Sequence, residues 1–136
     1  MNSDHRDFEN TPNYSCPFGR LLAGQKALVT GASSGIGRAV ALAFARAGAD
    51  VAINYLRTDD AVDTVLSTVR KAGAKAIAIR ADVSREDHVQ AMFERAIAEL
   101  GTIDILVLTI VAFEHAAIAW VLMPLGFTRK LSPEYD

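Results

Sequence analysis

Apolar and polar positions along the 136-residue chain change their period several times. Residues 1–23 show no period: they are polar, broken by Pro12 and Pro17, with Phe8, Tyr14 and Phe18 scattered among them. They read as an extended arm lying over the domain or a partner subunit, or else as disorder. From Gly24 onward short apolar runs alternate with stretches of helical spacing. Residues 26–30, KALVT, sit between Gly24 and Gly31 and read as a strand. Ile36, Val40, Ala43, Phe44 and Ala47 then recur at helical spacing, so a helix follows and ends at Gly48. A second strand covers residues 50–55. Thr58, Asp59 and Asp60 make a capped, acidic start to a second helix, which buries Val62, Val65, Leu66 and Val69 and stops at Gly73. Residues 74–80 read as a third strand. Residues 84–87, SRED, have the form of a capping box opening a third helix, with Val89, Met92, Phe93, Ala96, Ile97 and Leu100 on its buried stripe. Gly101 closes that helix and Ile103 begins a fourth strand.

Such alternation predicts an α/β fold with a parallel sheet covered by helices. Right-handed crossovers place the strands in the order 3-2-1-4, with a ligand crevice outside their carboxyl ends. Charge adds little: 22% of residues are charged and the net charge is −2, so there is no electrostatic case for nucleic acid or an anionic membrane. The lone Cys16 excludes an intramolecular disulfide and fits a reducing, cytoplasmic setting. Asp4, Asp7 and Glu9 with no apolar run behind them exclude a secretory signal. His5, His88 and His115 lack ligand spacing, and no metal is expected.

The candidate chemistry lies where the first strand gives way to the first helix. Gly31, Ser33, Ser34, Gly35, Ile36 and Gly37 stand at that change of period. A strand entering a helix through a glycine turn leaves unpaired N–H groups at the positive end of the helix dipole, which suits a pyrophosphate. The spacing is not G-x-G-x-x-G, because Val40 stands where the third glycine would be. It is T-G-x-x-x-G-x-G, residues 30–37, followed by RAVALAFARAGADVAINY. This stretch resembles the short-chain dehydrogenases/reductases, which reduce carbonyls or oxidise alcohols with NAD(H) or NADP(H) on a Rossmann-type doubly wound fold. The resemblance is dense over residues 21–107, and residues 24–108 are expected to form the cofactor-binding half-domain.

In a Rossmann site an acidic residue after the second strand binds the ribose of NAD, whereas an arginine accommodates the phosphate of NADP. Asn54, Tyr55, Leu56 and Arg57 occupy that place, so NADP is favoured, with NAD possible. Ser34 stands where NADP-preferring relatives often carry a second basic residue, and Arg38 reads as a solvated helix position. Asp82 and Val83 match the acidic–hydrophobic pair that in this family reads adenine; the plainer reading of Asp82 is a loop carboxylate before a helix.

After residue 107 the family continues Asn-Asn-Ala-Gly, whereas this chain reads LTIVAF. The family's proton donor is a tyrosine four residues before a lysine, yet Phe18 and Asp59 follow Tyr14 and Tyr55 at that spacing and Tyr135 is the penultimate residue. Catalytic residues are therefore expected to be absent. Residues 109–136 read as a divergent apolar tail, explained by truncation or a frameshift, by a helix folded over the sheet edge, or by a membrane anchor. The anchor is disfavoured because the longest uncharged run, residues 116–127, falls short of the roughly 20 residues a span needs. Three functions stay open: an NADP-binding remnant without catalysis, a working oxidoreductase completed by further chain or a partner, and an interaction or membrane-tethered protein. The apolar fourth strand predicts self-association through its edge.

Overall fold

The computed structural model describes residues 19–57 and 60–109. Among these residues seven elements alternate: β1 (Lys26–Val29), α1 (Gly35–Arg46), β2 (Asp50–Tyr55), α2 (Asp60–Lys71), β3 (Ala76–Arg80), α3 (Glu86–Leu100) and β4 (Ile105–Val107). The strands form one parallel sheet in the order β3-β2-β1-β4, as the alternation predicts. Register is tight: Val29 lies beside Ile53 on one side and Val107 on the other.

Each strand is apolar almost throughout because both sheet faces are covered, the usual condition of a parallel sheet. Leu28, Ala52, Ile77 and Ile79 face α3, where they meet Val89, Met92, Phe93, Ala96 and Leu100. Val29, Val51 and Ile53 face the other way, toward Ala41, Leu42 and Ala45 of α1 and Val65 and Val69 of α2. Burying a side chain as large as Met92 or Leu28 stabilises the fold by about 1.5–3 kcal/mol.

Several expected details differ. The buried stripe of α1 is Gly37, Ala41, Leu42 and Ala45, whereas Ile36 is 77% exposed and Ala43 is also on the outside. Ile97 likewise lies outside the α3 stripe. No capping box forms at α3: its cap residue is Arg85, without a side-chain capping bond, because the Ser84 hydroxyl turns back to Asp82. Arg38 is half-buried rather than solvated. The chain enters the fold before Gly24, since Leu22 N–H donates to the Ala47 carbonyl (2.8 Å) and Arg20 and Ala23 pack against Gly48. At the other end Thr109 is still bonded to the end of β1. The expected cap at Thr58 and Asp59, the arm over residues 1–18 and the tail from residue 110 lie outside the described residues.

Candidate functional site

In a parallel sheet all carboxyl ends meet at one rim, so the glycine turn after β1, the residues after β2 and the loop after β3 share one edge of the molecule. Residues 30–34 link β1 to α1. Ser34 is the helix cap, with extended backbone, yet its side chain makes no capping bond. Among the described residues, the N–H groups of residues 33–37 give no hydrogen bond to the protein; the first helical bond comes from Arg38 N–H to the Ser34 carbonyl (3.2 Å). Five successive amides are thus left at the positive end of a 12-residue helix.

Two glycines make this shape possible for different reasons. Gly37 sits under the turn, where a Cβ would stand 2.4 Å from the Gly31 carbonyl oxygen, so any side chain would push α1 off the strand end. Gly35 has φ +56° and open space around it, so it supplies the left-handed bend and keeps the outer side of the turn clear.

Sequence reasoning assigns Asn54 to the cofactor, and the structure puts its side chain inside, 3% exposed. Its Oδ1 accepts Gly31 N–H (3.3 Å), and its Nδ2 donates to the carbonyls of Ala81 (3.1 Å) and Ile79 (3.4 Å). Its own carbonyl accepts Ala32 N–H (2.9 Å). One buried amide therefore ties the glycine turn to the end of β3 across β2. Beyond it Tyr55 is half-buried at the rim, and Leu56 and Arg57 are exposed. The Arg80 side chain fixes this segment by donating Nε–H to the Leu56 carbonyl (3.1 Å).

Asp82 and Val83 follow β3. Asp82 Oδ1 accepts both the Ser84 N–H (3.0 Å) and the Ser84 hydroxyl (2.6 Å), which leaves Oδ2 without a hydrogen bond among the described residues. The Ser84 hydroxyl and N–H hold this carboxyl below its ordinary range; the partial desolvation opposing them is outweighed, and the charge of Arg85 adds to the lowering. The group is an ionised acceptor at neutral pH. Val83 packs inward against the α3 core, which fixes the backbone beside it. His88, read from the sequence as an ordinary histidine, accepts Asp82 N–H at Nδ1 (3.2 Å) and buttresses the loop from behind. Its spacing, six residues after Asp82 in the first turn of α3, was the only available signal.

The other contact that the sequence does not reveal is Thr109. Its N–H donates to the Thr30 hydroxyl (3.0 Å), and its own hydroxyl donates to the Thr30 carbonyl. The arrangement as a whole is a bed of amides without partners among the described residues, flanked by a fixed carboxylate and an exposed arginine, with the donors and the helix-end dipole that a diphosphate requires.

Residues 25–114 match the short chain dehydrogenase family. The chain belongs to that family. An uncharacterised oxidoreductase of Methylorubrum extorquens is 43% identical over 97 residues, which are 71% of this chain and 39% of that protein. A short-chain dehydrogenase/reductase structure from Mycobacterium marinum is 46% identical, with TM-score 0.62, and the match covers 68% of this chain and 38% of that one. A blue fluorescent protein from a metagenomic library, solved with NADPH, is 35% identical, with TM-score 0.65 over the same shares. The chain thus spans well under half the length of these short-chain relatives, and within that span the Rossmann-type architecture and the dinucleotide-binding fold are those of the family. No helix among the described residues is long and apolar enough to cross a membrane.

Proposed function

We propose that this chain binds NADP(H), as the cofactor-holding half of an oxidoreductase acting on an alcohol or a carbonyl. The observation that supports the reading is the run of five amides, residues 33–37, at the start of α1, which have no hydrogen-bond partner among the described residues. They would meet the diphosphate, assisted by the Ser33 and Ser34 hydroxyls, with the helix dipole favouring the negative charge. Gly31 has a different part, because its N–H is already committed to Asn54. Asp82 Oδ2 would accept from the adenine amino group and Val83 N–H would meet a ring nitrogen. Tyr55 and Arg57 lie where the adenosine ribose would be, and no carboxylate follows β2 there to repel a 2′-phosphate, which favours NADP over NAD. The NADPH held by a structural neighbour supports this preference.

When bound, the nicotinamide supplies or accepts the hydride. This chain's residues position the other end of the cofactor, and the 136 residues hold no Tyr-x-x-x-Lys pair to move the accompanying proton. We therefore read the chain alone as a binder, with turnover requiring further chain or a partner that carries the donor. A cytoplasmic setting suits the single cysteine. The outer edge of β4, where Leu108 is exposed, is the natural surface for self-association.

Titration of the full chain with NADPH and NADH, followed by cofactor fluorescence, tests the reading. NADPH is expected to bind more tightly, and Arg57→Ala to lose about tenfold for NADPH alone, the worth of a charge-assisted hydrogen bond. A folded chain that leaves both cofactors unbound would overturn it, and oxidation of NADPH by a ketone would overturn the absence of turnover.

A further inference from the structure

The end of β4 and the glycine turn are joined by a clasp. Thr30 N–H donates to the Val107 carbonyl (2.9 Å), continuing the β1–β4 ladder one residue past the strand. Thr109 then engages Thr30 twice, N–H to hydroxyl and hydroxyl to carbonyl. Thr30 itself is fully buried. The Thr109 hydroxyl also fills the space under the turn: it stands 2.8 Å from where a Cβ on Gly31 would be, and 2.9 Å from one on Gly37. A single side chain therefore touches the first and last glycines of the motif and the residue before it.

We propose that Thr109 is the positioning residue of the nucleotide-binding turn. It makes no contact with ligand on this account. Its hydroxyl satisfies the Thr30 carbonyl and fixes the height of Gly31 against Gly37, and that separation sets the direction of the amides of residues 33–37. Asn54 holds the same turn from the β2 side through Gly31 N–H, so the turn is gripped from both neighbouring strands and its outer surface is left to the ligand. Losing the hydroxyl alone leaves Thr30 O unpaired in a buried place and releases the turn from that anchor. Affinity then falls because the amides must be ordered at the moment of binding.

The inference rests on the NADP(H) reading for its affinity arm and stands apart from it in a second arm. In the full chain, Thr109→Val keeps the shape and the backbone N–H and removes the hydroxyl, whereas Thr109→Ser keeps the hydroxyl. NADPH affinity is expected to drop about five- to tenfold in the valine variant, the worth of one buried hydrogen bond, and to return in the serine variant. Hydrogen exchange at the amides of residues 31–37 is expected to quicken in the valine variant without ligand, while exchange in α3 stays at its original rate. Valine binding NADPH as tightly as threonine, or serine failing to restore binding, would overturn the proposal while leaving the NADP(H) reading intact. Were the original chain to bind no nucleotide, that reading would fail, and the exchange rates would still decide: faster turn amides uphold the clasp and unchanged ones refute it.

Discussion

Asn54 shows how a polar residue at the carboxyl rim of a sheet can act by facing the interior. Its amide group spends both donors and an acceptor on Gly31, Ile79 and Ala81, three positions on separate parts of the chain. Asn54→Leu fills nearly the same volume and leaves those groups unpaired in the interior, so it is expected to destabilise by about 2–3 kcal/mol. A lowered urea midpoint with unchanged slope checks this. Asn54→Asp is expected to cost at least as much, since a buried carboxylate facing two carbonyl oxygens has no donor to offer them. The sequence places Asn54 at the end of β2 correctly, but strand alternation alone does not say whether a polar side chain at a rim faces ligand or core. Thr109 is harder still: its partner lies 79 residues earlier, and only the β1–β4 register brings them together. Asp82 is singled out by its likeness to the family's acidic–hydrophobic pair after the third strand, whereas its bonds to Ser84 and His88 are not foreseen, since Ser84 fits a helix cap and His88 an ordinary helix position.

At the scale of elements, the shift in period from strand to helix marks all seven elements, because buried parallel strands and amphipathic helices differ so plainly in spacing. The face of α1 is another matter. Residues 39–45, AVALAFA, are apolar all the way round, so several stripes fit the spacing and Ile36 is drawn into the wrong one. The helix instead lays its small side of Gly37, Ala41 and Ala45 on the sheet, which lets the backbone come close to the turn, and Leu42 fills the remaining gap. Two substitutions distinguish the stripes. Leu42→Ala is expected to cost about 2–4 kcal/mol through the cavity it leaves, whereas Ile36→Ser is expected to change stability by less than about 0.5 kcal/mol. Thermal midpoints of the two variants are the measurement. The start of α3 carries a similar lesson: Ser84 has the right type and spacing for a cap, yet its Oγ is turned back to donate to the Asp82 carboxylate and the helix begins one residue later, with Arg85 at the cap.

Across the whole molecule the two rims of the sheet are built for different tasks. At the amino-terminal rim Asp50 forms an ion pair with Lys26 Nζ and accepts Lys75 N–H (2.8 Å), while Lys26 N–H donates to Asp104 Oδ2 (2.8 Å). These contacts tie together the starts of all four strands. Burial alone would raise the Asp50 carboxyl, but the hydrogen bonds from Lys26 and Lys75 and the charges of both lysines prevail and hold it below its ordinary range. A carboxyl depressed in the folded state stabilises above its unfolded range and loses that contribution as pH falls through its folded value. Stability is therefore expected to decline below about pH 4. Asp50→Asn should flatten that decline and cost about 1 kcal/mol at pH 7, discounted for the partial exposure of the pair. Urea melts at pH 3, 5 and 7 measure both. Nucleotide affinity at pH 7 is expected to survive this substitution, because the pair sits at the far end of the strands.

The opposite rim carries Thr109, clasped against the motif that precedes α1. That gives a splice point with a known address. A foreign segment grafted after this threonine would start next to the glycine turn, already at the carboxyl rim of the sheet. Chimeras built at this junction could borrow reactive side chains from unrelated reductases and leave the opposite rim and its ionic lacing untouched.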